Sequence, residues 1–234
     1  MTTIIKSIDR TITPKEIIPL LNKYGMLSRL ASEDIIDRAI AKIECTPQEI
    51  AIASKLWQHQ QSKSETAFAN IASAIRRLKI EKFKQQTWGD SIPAYFSHRK
   101  KQLDRVVYSA VKIKSREITR EIHFRLIEGE QTFSELNQEY AEHPSIEVSE
   151  ALGWVELGTL PSSIAQQLSS MKIDTISSPI LVENYYVILG LDKYVSAQCD
   201  RAMEKRLINE LFDQWMQRQL TQQKYQLVNF DSLK

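Results

Sequence analysis

Cysteine is nearly absent from this sequence. The two present, Cys45 and Cys199, are too few and too far apart for a disulfide framework. No stretch approaches the ~20 apolar residues of a membrane-spanning helix. The first ten residues carry no basic segment followed by an apolar one, so no secretory leader is expected there. The corresponding expectations are two buried, reduced thiols and a cytoplasmic protein. An excess of one charge is also missing: 31 Lys and Arg against 29 Asp and Glu leave a formal charge of +2, which gives no global attraction to nucleic acid or to a membrane surface. The six glycines form no phosphate-binding loop, and there is no G-x-S-x-G, H-E-x-x-H or C-x-x-C. His59 and His98 have no cysteine or second histidine at ligand spacing. Neither a metal nor another cofactor is expected.

What is present is an ordinary globular composition, 42% hydrophobic and 26% charged. The first ~100 residues read as a short strand over residues 3–8 followed by helices. Thr13-Pro14-Lys15-Glu16 and Thr46-Pro47-Gln48-Glu49 each place a capping threonine, a proline at the first helical position and a glutamate three residues on. Pro19 lies inside the first helix, where a kink or break is possible, and Gly25 stops it. A second helix is expected from Ser32. Further helices carry Phe68, Ile71, Ile75 and Leu78, and then Ile92, Tyr95 and Phe96 from about Asp90. The polar residues 59–65 read as a linker. At the far end, residues 197–224 form one long amphipathic helix with Leu207, Phe212 and Trp215 on its apolar face, and residues 225–230 read as a closing strand. Nine Lys and Arg lie between Arg76 and Arg105 against Glu81, Asp90 and Asp104. Such a cluster is first a solvated helix face, second a surface for an acidic partner.

Residues 103–195 have a different character. A strand over 106–113 is followed by helices over 119–128 and 132–141, a loop over 142–150, the turn Leu152-Gly153-Trp154, a short helix over 161–171, and strands over 176–182 and 185–191. That order describes an α+β unit around a small antiparallel sheet.

The residues in it resemble the parvulin family of peptidyl-prolyl isomerases. The matching pieces are Glu128-Gly129-Glu130 with Phe133, Leu136 and Tyr140; Leu152-Gly153-Trp154; Ile176-Ser177-Ser178-Pro179-Ile180; and Tyr186-Val187-Ile188. The strand, Thr-initiated helix and helical bundle before them, with a helix after them, resemble chaperone-isomerases of the SurA and PrsA type as found in cyanobacteria and related bacteria. The resemblance implies a helical domain of residues 1–102, a parvulin-like domain of 103–195, and a segment 196–234 packing back on the helices.

Rotating an X–Pro bond requires no proton removal, only an apolar slot for the ring, exclusion of water and a polar group near the rotating amide. Parvulins supply two facing histidines on adjacent strands, an Asp or Cys beside them, and apolar residues for the ring. Carried onto this chain, the first histidine falls at Tyr108 or Ser109 according to register, the second at Tyr186, and the Asp or Cys position at His143. Leu160 and Ile164 fall in the proline slot, and Leu152 and Trp154 at the groove turn. The paired histidines are thus replaced by hydroxyls, which can still donate and accept hydrogen bonds. Tyr108 and Tyr186 read equally as strand residues packing across a sheet, and His143 as an exposed loop residue. His123 is expected at the surface or half-buried on its helix. Trp57, Trp88 and Trp215 read as core anchors, and Trp154 as the tryptophan that touches peptide. Two functions follow: an isomerase acting on X–Pro bonds of a client polypeptide, or a chaperone or export escort that binds extended peptide without catalysis. Neither calls for nucleic acid.

Overall fold

The computed structural model describes residues 5–6, 11–60, 67–150 and 153–222. Strands β1 (Ile5–Lys6) and β2 (Thr11–Ile12) pair antiparallel. Helices α1 (Pro14–Lys23), α2 (Met26–Ile40), α3 (Pro47–Gln60) and α4 (Ala67–Trp88) follow. A 3-10 turn at Gly89–Ser91 then leads into α5 (Ile92–Leu103). Thr13 and Thr46 open α1 and α3 as their motifs require: each threonine's backbone N–H donates, at 2.8 Å, to the glutamate three residues on. Pro19 does not break α1, which runs through it with one backbone donor fewer. The second helix starts at Met26 rather than Ser32. Gly25, at φ +66°, reverses the chain in a single residue and leaves no need for a longer loop. The closing strand expected over 225–230 lies outside the described residues, as do residues 61–66 and the side chain of Trp57.

Two compact units result: Met1–Ile92 with Arg201–Lys234, and Pro93–Asp200. The first is discontinuous in sequence, with the second inserted into it. Residues 93–102, expected with the helical domain, fall in the second unit. Lys100 there reaches Asp104 and Ser196, and Gln102 lies against Gly158.

In the first unit, Ala31, Ile35 and Ile40 of α2, Ala74 of α4, and Leu207, Ile208 and Met216 of α9 (Arg201–Gln222) are buried. Phe83, Trp88, Phe212 and Trp215 form an aromatic cluster with centroids 5.3–6.1 Å apart. Three cations of the basic stretch are absorbed here. Arg76 meets Glu33 and Asp37 at 2.6 and 2.7 Å, Lys82 meets Glu49 at 2.9 Å, and Lys84 donates to Asn209 at 2.9 Å. These cations link α4 to α2, α3 and α9 instead of forming a free face.

The second unit contains β3 (Arg105–Ile113), α6 (Arg116–Ile127), α7 (Phe133–Glu139), β4 (Ile146–Ser149) and β5 (Val155–Glu156). A 3-10 turn at Leu157–Thr159 follows, then α8 (Ser162–Ser170), β6 (Thr175–Ile176), β7 (Ile180–Val182) and β8 (Tyr185–Val195). The sheet is antiparallel in the order β4-β3-β8-β6, with β5 also beside β3 and β7 beside β8. The expected loop 142–150 contains β4, paired to the second half of β3. The expected strand 176–182 is divided because Pro179 has no N–H to give the ladder. At the break, the Ser177 backbone donates to the Leu189 carbonyl at 2.7 Å, and the Ser177 hydroxyl accepts from the Leu189 N–H at 3.0 Å.

Alternation along β3 and β8 sorts the core into two layers. Val111, Ile113 and Ile188 pack with Ile122 and Leu126 of α6 and Leu136 of α7. Val106, Val187, Leu189 and Leu191 pack with Leu157 and with Leu168 of α8. Both layers are almost wholly shielded from water, and each such side chain contributes about 1.5–3 kcal/mol to folding. Gly190 is required where it stands: a Cβ there would come within 2.6 Å of the Phe133 ring.

Asp104 joins α5 to β3 and is 3% exposed. Its carboxylate accepts from the Tyr194 hydroxyl (2.5 Å), the Ala197 N–H (2.7 Å) and Lys100 (3.3 Å), and its carbonyl accepts from the Leu157 N–H (2.9 Å). Burial pushes this carboxyl up, but those three donors outweigh it and hold it below the usual carboxylate range. Burial, with Asp104 beside it, pushes Tyr194 up to about 12.

Candidate functional site

The β3–β8 register decides which candidate side chains meet. Tyr108 lies opposite Leu191, Ser109 opposite Gly190, and Ile113 opposite Tyr186. Tyr108 is therefore on the α8 face of the sheet and Tyr186 on the α6–α7 face. The expected pairing of the two tyrosines is not made, because five positions along the ladder, an odd number, put them on opposite sides. Ser109 does share the face of Tyr186. It is buried opposite Gly190 and lies four positions away, about 13 Å at ~3.3 Å per residue. Neither alternative for the first position pairs with Tyr186.

On the α8 face, Tyr108, Leu160 and Ile164 all pack, half-buried, against one cluster of Val106, Leu157, Leu168, Val187, Leu189 and Leu191. The slot residues are thus brought to the face of Tyr108. Burial pushes the Tyr108 hydroxyl up, so it stays protonated and a hydrogen-bond donor. It has no hydrogen-bond partner among the described residues. At the open end of this face, Lys112 meets Glu147 at 3.4 Å and lies 4.4 Å from the Tyr185 ring centroid.

On the other face, Tyr186 lines a cleft of ≈ 560 Å³ between α6 and the β7–β8 end of the sheet. Arg116, Thr119, Arg120, His123 and Phe124 form its α6 wall, and Pro179 adds an apolar edge. The wall exists because residues 116, 120 and 124, four apart, form one stripe of α6, with 119 and 123 beside them. Ser115 caps the helix, its hydroxyl accepting from the Ile118 N–H. Thr119 is buried and donates to the Ser115 carbonyl at 2.6 Å. Sequence reasoning assigned this α6 face no role. The signal available was the spacing Arg116-x3-Arg120-x3-Phe124.

The remaining candidates are dispersed. His143 is exposed in the turn after α7. Its Nδ1 accepts from the Ser145 N–H at 3.2 Å, and its ring stands edge-on to Tyr140 at 5.8 Å. It shapes that turn and joins neither Tyr108 nor Tyr186 in a hydrogen bond. Trp154 is 45% exposed, with the Arg105 guanidinium 5.7 Å from its ring centroid. Leu152 lies outside the described residues. Among the described residues, no group of three or more His, Cys, Asp or Glu is placed to hold a metal ion, and no helix is long and apolar enough to cross a membrane.

Residues 104–193 match the family model described as a rotamase, PPIC-type PPIase domain. Residues 104–193 form a parvulin-type domain. A search of curated proteins returned no match. Among solved structures the chain is similar to PrsA of Bacillus cereus, a peptidylprolyl isomerase, at 14% identity over 97% of this chain and 94% of that one, TM-score 0.41. It is also similar to PrsA of Bacillus subtilis, at 19% identity over 98% and 95%, TM-score 0.32. A SurA-like chaperone of Campylobacter jejuni is similar at 14% identity over 97% and 100%, TM-score 0.35. Within the parvulin-type domain of this chain the expected histidine positions hold Tyr108 or Ser109 and Tyr186, and Leu160 and Ile164 pack on the Tyr108 face of the sheet.

Proposed function

We propose that this chain is a folding factor whose parvulin-type domain holds extended, proline-containing polypeptide, and that holding rather than bond rotation is its principal activity. The observation that carries this reading is the placement of Tyr108 and Tyr186 on opposite faces of the sheet. Two polar groups that cannot reach the same amide cannot act together on its rotation, since catalysis requires interactions gained in the twisted transition state. Binding is less demanding. An apolar slot for a ring, an exposed tryptophan and an open cleft are sufficient for it.

Isomerase activity is the second reading, favoured by one feature. The Tyr108 hydroxyl is a partially desolvated donor with no hydrogen-bond partner among the described residues, on the same face as Leu160 and Ile164. The two readings separate in an exchange NMR experiment on a short X–Pro peptide, run with wild type, Tyr108→Phe and Leu160→Ala. Holding predicts peptide-induced shifts at Leu160 and Ile164, weakened by Leu160→Ala, with no faster cis–trans exchange. Acceleration that disappears in Tyr108→Phe would transfer the assignment to an isomerase with one hydroxyl donor. Absence of any shift at millimolar peptide would remove both readings.

A further inference from the structure

The α6 cleft contrasts with several ion-paired sites of the described chain. Arg76 is paired with Glu33 and Asp37, Arg125 with Glu121 and Glu139, Lys82 with Glu49, and Lys112 with Glu147, while Arg105 lies over Trp154. Arg116 and Arg120 have no ion pair among the described residues. Both are exposed, one helical turn apart, and both line the cleft. Of the acids beside them in sequence, Glu117 accepts a hydrogen bond from the Ser115 hydroxyl at 2.9 Å, and Glu121 pairs with Arg125. The electrostatic coupling of Glu117 to the two arginines lowers its own carboxyl, after the larger effects of its backbone N–H and of Ser115. Like charges at this spacing repel. The same cleft is lined by Phe124, 61% exposed, by Pro179, and by Tyr186, whose hydroxyl has no partner among the described residues. The ≈ 560 Å³ volume falls within the ~300–1,000 Å³ of ordinary ligand clefts.

We propose that this cleft is a second polypeptide-binding site, on the sheet face away from Tyr108, Leu160 and Ile164, and that its occupant is an acidic segment of the client. Aspartate or glutamate carboxylates would bridge Arg116 and Arg120, and a neighbouring apolar side chain would cover Phe124 and Pro179. Guanidinium forks suit carboxylates, and the apolar floor distinguishes a peptide from a free anion. The proposal rests on the polypeptide-holding reading above and adds to it the sequence character of what is held. Client chains would then be gripped at two places, a proline on one face and an acidic–apolar stretch on the other.

The test uses fluorescence anisotropy with three labelled peptides: one with alternating Glu and Phe and no proline, the same peptide with Gln for Glu, and a neutral X–Pro peptide. Each is titrated with the full chain, with Arg116→Gln/Arg120→Gln, and with Leu160→Ala, all checked for an unchanged circular-dichroism melt. The acidic peptide is expected to bind wild type at least tenfold more tightly than its Gln counterpart, and to lose about that factor in the double arginine variant. Leu160→Ala should leave it unchanged. The neutral X–Pro peptide should respond to Leu160→Ala and not to the arginine changes. Equal binding of the Glu and Gln peptides, or full acidic binding by the double variant, would overturn the second site and leave the holding reading standing. Displacement of the acidic peptide by equimolar inorganic phosphate would overturn the polypeptide assignment. Failure of all three peptides to bind would overturn the holding reading and, with it, this one.

Discussion

The two faces of the parvulin-type sheet are built from the same two strands and differ in what they leave unfilled. Toward α8 the strands present Val187, Leu189 and Leu191 to a covering helix, and at the open end Lys112 is neutralised by Glu147 and stacked on Tyr185. Toward α6 and α7 the centre is just as tightly filled, with Phe133 against Gly190 and Ile188 in the layer, but the end at Tyr186 opens into a cleft edged by two arginines that have no ion pair among the described residues. The fully buried side chains lie at the middle of both faces, and the proposed acidic-peptide site lies at one end.

That comparison predicts effects graded along β8. Ile188→Ala removes a fully buried side chain from the centre and is expected to cost about 2–5 kcal/mol in chemical denaturation. A loss below ~1 kcal/mol would mean the central layer is not the rigid part. Next is Asp104→Asn, which leaves Lys100 and the Tyr194 hydroxyl against a neutral amide and is expected to cost about 1–3 kcal/mol at pH 7. The sign of its pH dependence follows from the lowered carboxyl. The wild-type contribution is complete above the unfolded value of about 3.9 and is lost as pH falls through the lower folded value. Urea curves at pH 7 and pH 3 should show the gap between wild type and Asp104→Asn closing in acid, and a gap that widened would contradict the placement of that charge. Tyr194 acts oppositely: its contribution is complete below ~10 and fades as pH rises toward about 12. Gly190→Ala comes third, at about 1–3 kcal/mol, because its new Cβ must displace the Phe133 ring. Adding Phe133→Leu should recover part of that loss. Additive losses in the double variant would show that the ring is not the obstacle.

The sequence carried the element order well because capping threonines, Gly25 and the apolar periodicity act locally. Thr13 with Glu16 and Thr46 with Glu49 cap their helices as expected. What it did not carry were quantities set across strands. Whether Tyr108 faces Tyr186 depends on ladder register, and a shift of one residue reverses the answer. Strand β4 was read as loop because residues 146–149 acquire their strand character only from pairing with β3. Arg76 and Lys82 looked like part of a solvated face because their acids, Glu33, Asp37 and Glu49, are 33 to 43 residues away in the chain. Arg116 and Arg120 escaped notice for the converse reason, since only the structure shows that they have no ion pair among the described residues.

The smallest effect on stability is the sharpest test of the contrast between centre and end. Tyr186 is two residues from Ile188 on the same face of the same strand, yet its hydroxyl lines open space with no partner among the described residues. Tyr186→Phe removes one oxygen and keeps the ring, so no buried donor or acceptor is orphaned and no cavity forms. The expected change in unfolding free energy is within ~0.5 kcal/mol, several-fold below that of Ile188→Ala. Its effect should appear only when the cleft is filled, as a modest weakening of acidic-peptide binding by anisotropy, smaller than that of the double arginine variant because a neutral hydroxyl contributes less than a guanidinium. A destabilisation of ~2 kcal/mol instead would mean that this hydroxyl is tied into the fold, and the end of the sheet would then be part of its core.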